Sequence, residues 1–183
     1  ILYPNVSIRG NTYIGKNNII DMNTIIIDSK IGHDNVVVQS VIEGCEIGNN
    51  NQIGPFAHLR ANTYIGDHNQ IGNFVEVKST VIRDENYIKH LSYLGDATLE
   101  SQINVGAGAV IANYNAKTKV KSTTQLQQGV CIGANAVIIS PSMIGKNTQV
   151  AAGTIVTGEI PEDSLVIVRG QFVLKENYYK GAE

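Results

Sequence analysis

Residues 47–76 read IGNNNQ, IGPFAH, LRANTY, IGDHNQ, IGNFVE: an aliphatic residue opens every sixth position and is usually followed by Gly or a small or polar residue. The beat continues in both directions, through Ile8, Ile14-Gly15, Ile20 and Ile31-Gly32 towards the N-terminus, and through Ile82, Ile88, Leu94-Gly95, Val105-Gly106, Ile132-Gly133, Ile144-Gly145 and Val156 towards the C-terminus. A period of six fits neither a helix, which repeats every 3.6 residues, nor a long alternating strand, which repeats every two. It fits a parallel β-helix in which each short strand turns one aliphatic side chain inward and the chain then bends. Three hexads make one triangular coil of about 18 residues. The expected class is all-β, a parallel β-helix of hexapeptide repeats. Asn recurs near the bends (Asn17, Asn18, Asn49, Asn50, Asn51), where its tolerance of left-handed backbone is needed.

The repeat runs nearly end to end, so residues 1–183 are expected to form a single domain. It stops after Ile111. The polar stretch NYNAKTKVKSTTQ, about residues 113–125, is expected to leave the coil as an extruded loop. The beat fades after Ile160-Pro161, and about 162–183 is expected to form a short C-terminal arm outside the prism. The chain opens on Ile1 rather than Met, so a fragment or processed product is expected. A net charge of -2 gives no footprint for nucleic acid. No basic tract or bilayer-length apolar run points to a membrane. Cys45 and Cys131 lack metal-ligand spacing and are expected to be free thiols in a reducing compartment. The histidines lack the spacing of a shared zinc site, so no metal is expected.

The register predicts which residues stack. Arg60 and Lys78 are each the second residue of their hexads and lie one coil apart. Stacked strands are about 4.8 Å apart, so two cations there repel unless an anion lies between them. Taken alone the pair also fits two solvated side chains that splay apart. Counting the same way stacks His90 on Asn73 and Tyr93 on Glu76. His90 can exchange a proton near neutral pH, and Glu76 is a candidate to orient its ring. The segment Val105-Gly106-Ala107-Gly108-Ala109 has little side-chain bulk and is either a tight corner or a source of exposed backbone N–H groups.

The stretches IGPFAHLR, GNFVEVK, HLSYLGDA, NVGAGAVIANYN, IGANAVIISPSMIG and VRGQ together resemble the acetyltransferase half of the bacterial family of glucosamine-1-phosphate N-acetyltransferase/N-acetylglucosamine-1-phosphate uridyltransferases. The resemblance implies a left-handed β-helix, a cytoplasmic homotrimer with sites between subunits, and acetyl transfer from acetyl-CoA to glucosamine 1-phosphate on the way to UDP-N-acetylglucosamine and cell wall. Carried over by motif, it implies His90 as general base, and Arg60, Lys78, Tyr93, Asn104 and Lys119 as sugar-phosphate ligands. It also implies Ala107, Asn113, Tyr114, Ala134, Ala152 and Arg169 near acetyl-CoA. Nothing resembles the uridyltransferase half, so neither uridylyl transfer nor a magnesium requirement is expected of this chain. Two departures stand out. Ala134 replaces the family's usual Ser, and Asn113-Tyr114-Asn115-Ala116 replaces its NYDG. Transfer to another amino or hydroxy sugar, and a catalytically silent trimerisation module, are the competing expectations.

Overall fold

The computed structural model describes residues 1–171 and 173–176, and among them the regular elements are strands and turns. The chain winds as a left-handed parallel β-helix with three walls. The first wall stacks Ser7–Arg9, Ile25–Ile27, Val41–Glu43, His58–Leu59, Glu76–Lys78, Tyr93–Gly95 and Val110–Ala112. The second runs from Tyr13–Ile14 up to Thr124–Leu126, and the third from Ile19–Ile20 to Leu165–Val166. The eight-residue strand Val137–Ile144 bends round a corner, with a register shift between Ile139 and Ser142, and so joins the first two walls into one 16-stranded sheet. The third wall is a separate nine-stranded sheet.

The aliphatic beat is the core. Ile53 pairs with Ile71, Ile71 with Ile88, Ile88 with Val105 and Val105 with Ile132, all buried. Each such side chain contributes about 1.5–3 kcal/mol by leaving water. The corners use two devices. Asn17, Asn50, Asn62, Asn135 and Asn147 take φ between 54° and 64°, which few other L-residues accept. A second file of asparagines points inward: the Asn35 N–H donates to Asn18 Oδ1, Asn51 N–H to Asn35 Oδ1, Asn69 N–H to Asn51 Oδ1 and Asn86 N–H to Asn69 Oδ1. From Asn18 to Asn86 each coil is thereby tied to the next by a buried bond.

The segment expected as a loop is a two-stranded antiparallel hairpin, Tyr114–Asn115 against Val120–Lys121, at the corner between the first and second walls. It ends earlier than the composition suggests. Thr124 is fully buried and Thr124–Leu126 is a regular rung, because its small hydroxyl fits the inward position that Asn and Thr occupy elsewhere. The coil also persists past 162, since Leu165–Val166 pairs with Gln149–Val150. The part of the expected arm at 172 and 177–183 lies outside the described residues.

Candidate functional site

The stacking predicted for the polar residues is what the register shows: Asn73 pairs with His90 and Glu76 with Tyr93, while Leu59 pairs with Val77, which puts Arg60 beside Lys78. These residues do not share one edge of the prism. Arg60 and Lys78 stand at the end of the first wall's strands, at the corner the hairpin leaves from. His90 ends Tyr87–His90 on the third wall, at the opposite edge of the first wall. Among the described residues no hydrogen bond or ion pair joins the His90 ring to Arg60, Lys78 or Glu76. Within one chain Glu76 therefore does not reach the His90 ring. Its carboxylate accepts from Arg60 Nη1 at 2.7 Å, because both project outward in neighbouring columns of one wall.

At the Lys78 edge the groups form a cationic cluster. The Lys121 ammonium beside Lys78, and then Arg60, hold the Lys78 ammonium below the usual lysine pKa, while Asp96 opposes them. Lys121 Nζ lies 3.9 Å from Asp96 Oδ2. Lys121, rather than the expected Lys119, is the hairpin lysine that meets the wall. Lys119 takes φ 57° in the hairpin turn and is exposed. The signal that separates them is pairing: Lys121 lies opposite Tyr114, at the base of the hairpin. Gly95 is buried next to Lys78, and the Tyr93 hydroxyl and the Asn113 amide converge over it, so that a Cβ there would collide with both. Asn113 is buried, and its amide donates to Asp96 Oδ2. Tyr114 is exposed.

At the His90 edge a second pattern appears. The Gly108 N–H donates to the His90 carbonyl, the Asn135 N–H to Ala107 and the Gly153 N–H to Ala134. His90, Ala107, Ala134 and Ala152 thus climb one corner in successive coils, and Arg169 Nη1 donates to the Ala152 carbonyl at 2.9 Å. With rungs about 4.8 Å apart, the three steps from His90 to Ala152, whose carbonyl holds the Arg169 guanidinium, span roughly 14 Å. Towards the N-terminus the same corner carries Phe56, Phe74 and Leu91, all exposed and at φ 59°, 55° and 48°. The two phenyl rings stack at 5.4 Å. The corner therefore changes at His90 from an apolar ridge to a smooth strip of small residues. Asn104 lies outward on the same wall as His90, its amide 3.8 Å from Cys131 Sγ. A shallow groove of about 210 Å³ beside His90 is lined by Gln52, Gln70, Asn73 and Lys89.

Both cysteines are free. Burial pushes the Cys45 thiol up to about 12. Among the described residues no cluster of His, Cys, Asp and Glu suits a metal ion, and no helix is long and apolar enough to cross a membrane.

Residues 44–79 match the family model described as bacterial transferase hexapeptide (six repeats). The chain is 40% identical, over 98% of its length, to a protein named bifunctional protein GlmU from Carboxydothermus hydrogenoformans. It is 42% identical, over 97%, to the protein of that name from Synechococcus elongatus. It spans only 40% and 39% of these relatives' own length. Among solved structures it is similar to LpxA, a UDP-N-acetylglucosamine acyltransferase from Bacteroides fragilis, with a TM-score of 0.74 and 20% identity over 88% of this chain and 69% of that one. That likeness concerns the fold.

Proposed function

The chain is a relative, over nearly its whole length, of a segment of the bacterial bifunctional GlmU proteins, and from that premise we propose that it transfers the acetyl group of acetyl-CoA to the amine of glucosamine 1-phosphate, giving N-acetylglucosamine 1-phosphate for UDP-N-acetylglucosamine synthesis in the cytoplasm. The observation that carries the reading is the strip from His90 through Ala107, Ala134 and Ala152 to Arg169. Small side chains leave room for an extended pantetheine arm along roughly 14 Å of the corner. Arg169 at the far end supplies a planar cation for a phosphate. His90 at the near end stands where the thioester would lie. Ala134 in place of Ser costs one hydroxyl donor but keeps the strip smooth.

The acceptor's phosphate belongs with Arg60, Lys78 and Lys121, and Tyr93 and Asn113 frame its sugar over Gly95. In glucosamine 1-phosphate the amine and the phosphate sit on adjacent ring carbons. A sugar held at the Lys78 edge therefore cannot present its amine to His90 at the other edge of the same chain. The site closes when His90 and Asn104 of one copy face Arg60, Lys78 and Tyr93 of the next. The exposed ridge of Phe56, Phe74 and Leu91 supports such packing, since apolar side chains at that density favour a protein partner. A homotrimer, the three-fold match to a three-walled prism, is the assembly proposed.

In the reaction the ammonium of the sugar gives a proton to His90, which makes the nitrogen lone pair available. The amine attacks the acetyl carbonyl carbon, the Ala107 N–H donates to the developing oxyanion, and as the C–S bond breaks the nitrogen's second proton passes to the departing thiolate, which leaves as CoA. The phosphate cluster supplies orientation. His90→Ala is expected to lower turnover by about two to four orders of magnitude while acetyl-CoA binding is retained. Near-normal turnover in that variant removes His90 as the base.

A further inference from the structure

Asp96 sits where four pieces of the chain meet. Its backbone N–H donates to the Lys78 carbonyl at 3.1 Å, and its carbonyl accepts from the Thr124 N–H at 3.2 Å, where the chain re-enters the coil after the hairpin. Its carboxylate accepts from the Asn113 amide at the hairpin's entry and faces the Lys121 ammonium at its exit, both through Oδ2. The carboxylate side chain is 19% exposed. The hairpin's other polar bonds are mostly internal: the Ser122 N–H donates to the Asn113 carbonyl, the Lys119 N–H to the Asn115 carbonyl, and the Lys117 and Thr118 N–H groups to Asn115 Oδ1.

Two ammonium groups as close as those of Lys78 and Lys121 repel, and Arg60 adds a third charge to the same edge. A hairpin on two short strands swings Lys121 away from such a neighbour unless a negative charge holds it. Asp96 is the carboxylate in place. We propose that Asp96 is a positioning residue: it latches the hairpin by both ends, so that Lys121 stays beside Lys78 and Asn113 stays over Gly95, and the anion pocket is preformed before the acceptor arrives. The proposal rests on the reading of this edge as the acceptor-phosphate site.

Charge and position make opposite predictions, which gives a test by sign. A carboxylate that is only a bystander repels a bound phosphate, so Asp96→Asn lowers the acceptor's KM. A latch gives the reverse: Asp96→Asn raises the KM for glucosamine 1-phosphate by about tenfold, with the KM for acetyl-CoA little moved. In a Lys121→Ala background the same change has a smaller effect on acceptor KM, since only its hold on Asn113 remains to be lost. Asp96→Glu, which keeps the charge one methylene further out, falls between wild type and Asp96→Asn. It also serves if Asp96→Asn does not fold. Amide hydrogen exchange in the full chain is the second readout, and it needs no turnover: Asp96→Asn speeds exchange at the Ser122 N–H while that of the Asn69 N–H, deep in the coil, stays protected. A lower acceptor KM in Asp96→Asn, or unchanged exchange at Ser122, overturns the latch. If the wild-type chain transfers no acetyl group at all, the functional reading fails, and the exchange result still decides the latch.

Discussion

Replacing Lys78 with Ala should raise the KM for the phosphorylated acceptor, and the structure sets the size. A unit charge pair about 4 Å apart is worth about 1 kcal/mol in water and about 4 kcal/mol at an effective dielectric constant of 20. The neighbours here are partly wet: the side chains of Arg60, Glu76 and Lys121 are 40%, 39% and 43% exposed. The low end of that scale therefore applies, and a rise in KM of roughly five- to tenfold is expected. Arg60 behaves differently because Glu76 already holds it at 2.7 Å. Glu76→Gln frees the guanidinium and removes a negative charge from the pocket, so it should lower the acceptor KM. Free-thiol release from acetyl-CoA, followed while glucosamine 1-phosphate is titrated, measures both. Because these charges are exposed, the Lys78→Ala penalty should shrink as salt is raised past physiological strength, where the Debye length falls below about 8 Å. A Lys78→Ala enzyme with unchanged acceptor KM, or one whose acetyl-CoA KM rises instead, refutes the assignment of this cluster to the acceptor.

Three further outcomes follow from the geometry. Gly95→Ala places a methyl group against the Tyr93 hydroxyl and the Asn113 amide, so the acceptor kcat/KM should fall with the melting temperature little changed; wild-type kinetics would show that the groups over Gly95 are not used. Asn51→Ala strips the buried Asn69 N–H of its acceptor at 2.8 Å, which should cost about 1–3 kcal/mol in denaturant melts; an unchanged midpoint would remove the asparagine file as a source of stability. Cys45, with its thiol pushed up to about 12 by burial, stays protonated and unreactive at pH 8. A thiol reagent should label at most Cys131 in the native chain and both cysteines after unfolding, and two native thiols would contradict the burial.

Much of this was legible in the hexads because a strand's inward side chain must be aliphatic, and its spacing counts the rungs. That count alone pairs Asn73 with His90 and Glu76 with Tyr93, as the structure does. It carries no information on which edge of a wall a residue occupies, since a corner differs from a strand by one or two backbone angles. So the partner of Glu76 could not be read from it: Arg60 is a diagonal neighbour on the same wall, and His90 is past the corner. The hairpin was opaque for another reason. Its lysines alternate in sequence, and only the pairing of Lys121 with Tyr114 shows which one lies at the base. The strip above His90 is half visible, because motif resemblance points to Ala107, Ala134 and Ala152 separately, and their alignment emerges from the carbonyl bonds between coils.

The central claim is that the imidazole and the phosphate cluster of one working site come from different copies of the chain. Mixing unfolded His90→Ala and Lys78→Ala chains in equal amounts and refolding them together tests it directly. Assayed with acceptor well below its wild-type KM, His90→Ala alone should be nearly inactive and Lys78→Ala should keep only about a tenth to a fifth of wild-type turnover, while random co-assembly leaves about a quarter of the sites with both residues intact and should restore about a quarter of wild-type turnover. A mixture no more active than its two components would place both residues of each site on a single chain and contradict the account.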